Sequence, residues 1–82
     1  MEDEKLLQRI TISQKVMAGK PVIKGTRLTV AYVLNLLAHG ETVENILDEY
    51  KGVTLVDINA CYIFAAKFLG DASFMPLVEE KQ

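Results

Sequence analysis

Residues 19–27, Gly-Lys-Pro-Val-Ile-Lys-Gly-Thr-Arg, place two lysines, an arginine and two glycines around one apolar pair. Side chains of this kind contact phosphate, and glycines of this kind let a backbone wrap it. A phosphate-binding loop, however, needs a glycine, four residues, and then Gly-Lys-Ser/Thr opening a helix. Here Lys24 precedes Gly25, five residues separate the two glycines, and no strand–loop–helix unit surrounds them. The order excludes a phosphate loop. The basic side chains can still meet the phosphates of a nucleic acid, whose contacts are electrostatic and carry no order requirement.

Nothing else in the chain assembles into a catalytic or metal-binding set. His39 is the single histidine and Cys61 the single cysteine. One of each holds no metal without carboxylates supplying most of the ligands. His39 reads as a helix-end residue that complements the dipole. Cys61 reads as a small apolar group inside a helix. No enzyme, cofactor, metal or small-molecule substrate is expected.

Three threonines define the elements behind these residues. Thr29 caps a helix from about Val30 to His39, with Leu28 placed to staple onto Val33 and Gly40 to stop it. Thr42 caps a second helix, about Val43 to Tyr50, whose Val43, Ile46, Leu47 and Tyr50 form an apolar stripe. Thr54 and Asp57 form a short capping box for a third helix running to about Leu69, with Val53 stapling onto Ile58. Before them, Arg9–Ile12 and Val22-Ile23 read as β-type runs, so residues 9–28 are expected to hold two or three very short strands. The expected fold is mainly α: a homeodomain-like three-helix bundle with a helix-turn-helix, preceded by a short N-terminal β segment. Residues 1–82 form one domain, with the β segment at 9–28, the helical core at 29–70 and a C-terminal tail at 71–82.

The third helix bears on function. At 100° per residue, Leu55, Ile58, Tyr62, Ala65 and Leu69 share one side, with Cys61 and Phe68 beside them, and that side is the expected core. The opposite sector holds Val56, Asn59, Ala60, Ile63, Ala66 and Lys67. Twelve of the fifteen residues from Leu55 to Leu69 are hydrophobic. A helix apolar nearly all round is covered on more than one side. A DNA-reading helix puts polar groups outward, and here Asn59 is the one good base reader. Val56, Ile63 and Lys67, with Phe74, Met75 and Leu77 of the tail, are the protein-interface candidates, the alternative cover for the helix face being the β segment or the tail of the same chain. Lys20, Lys24, Thr26, Arg27 and Asn59 are the DNA-binding candidates. The bland reading of the basic residues is a solvated surface with salt bridges to the acidic second helix.

Charge is divided along the chain. Lys5 to Gly40 carry six basic residues and no acidic one, whereas Glu41 to Gln82 carry three basic and eight acidic residues, within a net charge of −2. A DNA contact would thus fall in the first half. Half of the 82 residues are hydrophobic and 24% are charged, which is a globular composition. The longest apolar run, Leu28 to Ala38, is too short and too polar to span a bilayer. The acidic start lacks the basic-then-apolar order of a secretory signal. A cytoplasmic protein is expected.

Gly19-Lys20-Pro21, Ile23 and Gly25-Thr26-Arg27, followed by Gly40, Ile46-Leu47, Tyr50, Thr54-Leu55 and Asp57-Ile58, resemble the bacterial and archaeal domain of unknown function 433 family across about Arg9 to Leu69. The family often has Asp-Pro where this chain has Ser13-Gln14, a glycine at Ala18 and a proline at Val43. Its members resemble VapB-type antitoxins, and many are encoded beside a PIN-like ribonuclease toxin. The resemblance implies a dimeric helix-turn-helix antitoxin that binds and silences such a nuclease and represses its own operon. A helix-turn-helix transcriptional regulator without a toxin partner is the alternative.

Overall fold

The computed structural model describes residues 2–70, so the interface candidates Phe74, Met75 and Leu77 lie outside the described residues. Within that range the protein is mainly helical, with four helices and a two-stranded antiparallel sheet. In chain order these are α1 (Asp3–Leu7), β1 (Ile10–Thr11), a 3-10 turn (Met17–Gly19), β2 (Val22–Ile23), α2 (Val30–Ala38), α3 (Val43–Glu49) and α4 (Leu55–Phe68).

The three threonine caps form as expected. Thr29 Oγ1 accepts from Tyr32 N at 2.9 Å, and Thr42 Oγ1 accepts from Asn45 N at 3.1 Å. At α4 the capping box is complete: Thr54 Oγ1 accepts from Asp57 N at 3.3 Å, and Asp57 Oδ2 accepts from Thr54 N at 3.0 Å. Each cap satisfies amide groups that a helix start otherwise leaves open. The two strands pair Ile10 with Ile23 and Thr11 with Val22. On its other side, β2 bridges from Val22 to Thr29, and Ile23 N donates to Leu28 O at 3.0 Å. The β segment thus runs directly into the cap of α2.

Ile23, Val30, Val33, Ile46, Val53, Ile58 and Cys61 make the buried core, with Leu37, Leu47, Tyr50 and Phe64 packed around it. Burial pushes the Cys61 thiol from its ordinary 9.0 up to about 11, with the negative Asp57 adding to the effect. The end of α3 is tied to α2 by Tyr50. Its hydroxyl lies 3.0 Å from that of Tyr32, and the rings meet edge to face at 6.3 Å. That hydrogen bond first, then partial burial and the charges of Tyr32, Glu49 and Glu41, pushes the Tyr50 phenol up to about 12.

Two features differ from the sequence expectation. The first is α1, which packs along α4 and carries a surface ion pair from Asp3 to Lys67 at 3.4 Å. Five residues give no apolar period to read. The second is the rotation of α4. Leu55, Tyr62, Phe68 and Leu69, expected in the core, are exposed, while Ala60, expected outward, is buried together with Asp57, Ile58 and Cys61. The buried side is turned by roughly a quarter turn, because α1 and β1 cover α4 along the side that carries Asp57 and Ala60.

The segment 13–20 is a tight loop. Gly19 N donates to Ser13 O at 3.1 Å and to Val16 O at 3.2 Å. Gly19 sits at φ +86°, and a Cβ there would stand 2.8 Å from Gln14 Nε2, so only glycine fits without displacing Gln14. Its neighbour Ala18 has φ +56°, a left-handed conformation that costs a residue with a Cβ about 1–2 kcal/mol. Ala18→Gly is expected to raise the unfolding free energy by about 0.5–1 kcal/mol, after allowance for the freer unfolded chain. Urea denaturation of the two proteins checks this.

The core thiol gives a second expected outcome. Its folded pKa lies above the unfolded one, so its stability contribution is intact below pH 9.0 and is lost as the pH rises toward about 11. The denaturant midpoint of the wild type should fall more steeply across that window than that of Cys61→Ala.

Candidate functional site

The Thr54–Asp57 capping box closes into an ion pair. Asp57 has no exposed surface, and its Oδ1 accepts from Arg9 Nε at 2.6 Å while Oδ2 serves the cap. The carboxylate therefore binds the β segment with one oxygen and the start of α4 with the other. The hydrogen bond, and then the charge of Asp57, hold the Arg9 guanidinium protonated above its ordinary range. Among the described residues no buried side-chain polar atom lacks a partner.

This anchor sets what α4 shows to solvent. With Asp57, Ile58, Ala60 and Cys61 inward, the outward residues are Leu55, Val56, Asn59, Tyr62 and Ala66, with Ile63 half-buried beside them. Leu55 is 54% exposed, Tyr62 46% and Val56 36%. Three apolar side chains of this size on one surface strip, together with Ile63, make the kind of exposed patch that marks a contact with another molecule. The structure thus places Val56, Asn59 and Ile63 on one face, as their spacing required. It adds Leu55 and Tyr62, whose spacing had pointed to the core. Lys67, one turn beyond Ile63 on the same line, is paired with Asp3 of α1.

The basic candidates occupy the loops of the β segment. Lys20, Lys24 and Arg27 are exposed, and among the described residues none of them is ion-paired to a carboxylate, nor is Lys15. The salt bridges to the acidic α3 are not formed. Thr26 is turned to local work: its hydroxyl donates to Ile23 O at 2.8 Å and accepts from Leu28 N at 3.0 Å. It closes the loop that presents Lys24 and Arg27, with its proton and one of its two lone pairs engaged. Lys24 N donates to Arg9 O at 2.7 Å. Arg9 in turn reaches the first turn of α4, so the basic loop and the outward strip of α4 are held to the same residue.

His39 takes the helix-end role, with Nδ1 2.8 Å from Asn35 O. No group of three metal-ligating side chains occurs among the described residues, and no described helix is long and apolar enough to cross a membrane. Several shallow concavities mark the described surface, and one of them is lined by apolar residues alone. An apolar groove of about 290 Å³ runs between the start of α2 and the end of α4, walled by Pro21, Val30, Ala31 and Leu34 on one side and Phe64, Ala65 and Phe68 on the other.

A family model described as "Protein of unknown function (DUF433)" matches residues 10–65. The matched region begins at β1 and ends within α4. It takes in the Lys20–Arg27 loop, the three threonine caps and Asp57, and leaves out α1. Neither a curated protein nor a solved structure matches the chain.

The ion pair makes a quantitative prediction. Arg9→Ala leaves a buried carboxylate with only its cap partner, and is expected to destabilise the protein by about 2–3 kcal/mol. The figure falls below that for a fully buried pair because the Arg9 side chain is 36% exposed. Asp57→Ala also loses the bond that its carboxylate accepts from Thr54 N, and should cost about 1 kcal/mol more. A double-mutant cycle by chemical denaturation should give a coupling of at least about 1 kcal/mol. Additive effects would contradict the geometry.

Proposed function

The chain belongs to the DUF433 family, and on that premise we propose that it is an antitoxin-like protein that binds and neutralises a PIN-like ribonuclease. The observation that carries this reading is the exposed apolar strip of α4, formed by Leu55, Val56, Tyr62 and Ile63. Such a strip is best covered by another protein surface, with Tyr62 as the aromatic anchor. In the absence of the nuclease the same strip associates with a second copy, which makes the free protein a dimer. The nuclease as partner class comes from the resemblance of the Gly19–Arg27 and Thr54–Ile58 motifs to antitoxin-like members of the family.

The test uses any PIN-like ribonuclease encoded beside this gene. Calorimetric titration is expected to show tight binding with loss of ribonuclease activity. Val56→Glu with Tyr62→Glu should weaken binding by at least about 100-fold, or ~2.7 kcal/mol, while helical circular dichroism is retained. The same double variant should scatter light as a monomer at tens of micromolar. A wild type that is monomeric there, or that leaves the nuclease unbound and active, contradicts the proposal.

A second reading is a helix-turn-helix regulator that binds DNA. The observation favouring it is the exposed Lys20, Lys24 and Arg27, unpaired among the described residues and tied through Arg9 to α4. In this reading α3 and α4 form the helix-turn-helix, Asn59 is the base-reading residue, and the basic loop meets phosphates. Mobility shifts on the DNA upstream of the gene would then weaken with salt. Lys24→Ala with Arg27→Ala should lower the salt slope by about 2, roughly one for each phosphate that a removed cation had neutralised.

A further inference from the structure

The apolar groove between α2 and α4 is separate from the strip assigned to a partner, and its position in the chain names its occupant. Its second wall, Phe64, Ala65 and Phe68, is the last turn and a half of α4. Phe64 and Phe68 stack with centroids 6.3 Å apart, which holds Phe68 at the groove although 79% of it is exposed. The helix stops immediately afterwards. Leu69 is its C-cap, Gly70 takes φ +109°, and Gly70 N donates to Lys67 O at 3.1 Å. A left-handed residue at that position turns the chain out of the helical path.

The residues that follow are Asp71-Ala-Ser-Phe-Met-Pro-Leu-Val78 and then Glu79-Glu80. Phe74, Met75, Leu77 and Val78 are four apolar side chains grouped around Pro76. Phe74 is six residues beyond Phe68, a reach of up to ~20 Å, which exceeds the ~6 Å that separates Phe64 from Phe68 along the helix. A segment joined this closely to the groove wall meets it at an effective concentration on the order of millimolar, an advantage no free molecule has. Charge agrees with this placement. Pro21 lines the groove, and its neighbour Lys20 is exposed and has no carboxylate partner among the described residues. Glu79 and Glu80 come directly after the apolar group. The groove volume lies at the lower edge of the ~300–1,000 Å³ range of small-molecule sites, and its all-apolar walls suit side-chain anchors.

We propose that residues 74–78 of this same chain dock in the groove between α2 and α4, with Phe74 and Leu77 as anchors and Glu79-Glu80 brought toward Lys20. The docking is independent of any nuclease or DNA.

The test is nuclear Overhauser spectroscopy on the full chain. Cross-peaks are expected from Phe74 and Leu77 to the methyl groups of Ala31, Leu34 and Ala65, within one molecule. Ala31→Glu, on the exposed rim of the groove, should abolish them with the helical circular dichroism unchanged. Leu77→Ser should abolish them without altering the folded core. A mixed sample of differently labelled chains separates the sources. Cross-peaks found only between chains would overturn the proposal in favour of a second copy in the groove. Absence of cross-peaks in the wild type would overturn it outright.

Discussion

Asp57 lies wholly inside the protein, and its two carboxylate oxygens face different parts of the chain: one takes the Thr54 amide at the start of α4, the other the Arg9 side chain beside β1. A carboxylate removed from water is tolerated only when its lone pairs are met by donors and its charge by a cation. Both conditions are fulfilled by residues 48 positions apart and three positions apart. The pair therefore links the least regular part of the sequence to the longest helix. Since Arg9 O also accepts from Lys24 N, the hold extends to the loop that displays Lys24 and Arg27. The orientation of α4, the exposure of its outer strip and the placement of the basic loop all follow from this one buried charge.

The parts of the fold governed by local chemistry were legible in the sequence. Thr29, Thr42 and Thr54 each mark a helix start because a hydroxyl three residues before an open amide is a local rule. Val22-Ile23 could be read as a strand for the same reason: two β-branched residues lie between turn signals. What could not be read was the rotation of α4. Its surface is apolar nearly all round, so periodicity offered no preferred face, and Asp57 was assigned to its cap alone. Arg9 was counted among the basic residues of the first half, with no pattern to show that it reaches across 48 positions. The five-residue α1 is likewise too short for a period. It is held by its packing on α4 and not by its own propensity.

The candidate site divides along the same line between local and long-range chemistry. Val56, Asn59 and Ile63 fall together because residues on one helix keep their relative positions whichever way the helix turns. Leu55 and Tyr62 joined them only once Asp57 had fixed that turn. Thr26 was chosen for its place among Lys24, Gly25 and Arg27, and its hydroxyl closes the loop that carries them. Gly19 and Gly25, which suggested a phosphate loop, shape turns around a two-stranded sheet. The basic segment is scaffold in its glycines and threonine, and surface in its lysines and arginine.

Arg9 and Asp57 thus join the N-terminal segment to α4 as one cooperative unit. Native-state hydrogen exchange of Arg9→Ala against the wild type tests it most directly. Amides of α1, of β1 and of the first turn of α4 are expected to lose protection together, by about the same factor, while those of α2 and α3 keep theirs under conditions where the variant remains folded. Loss of protection confined to the residues beside Arg9, with the first turn of α4 unchanged, would contradict it.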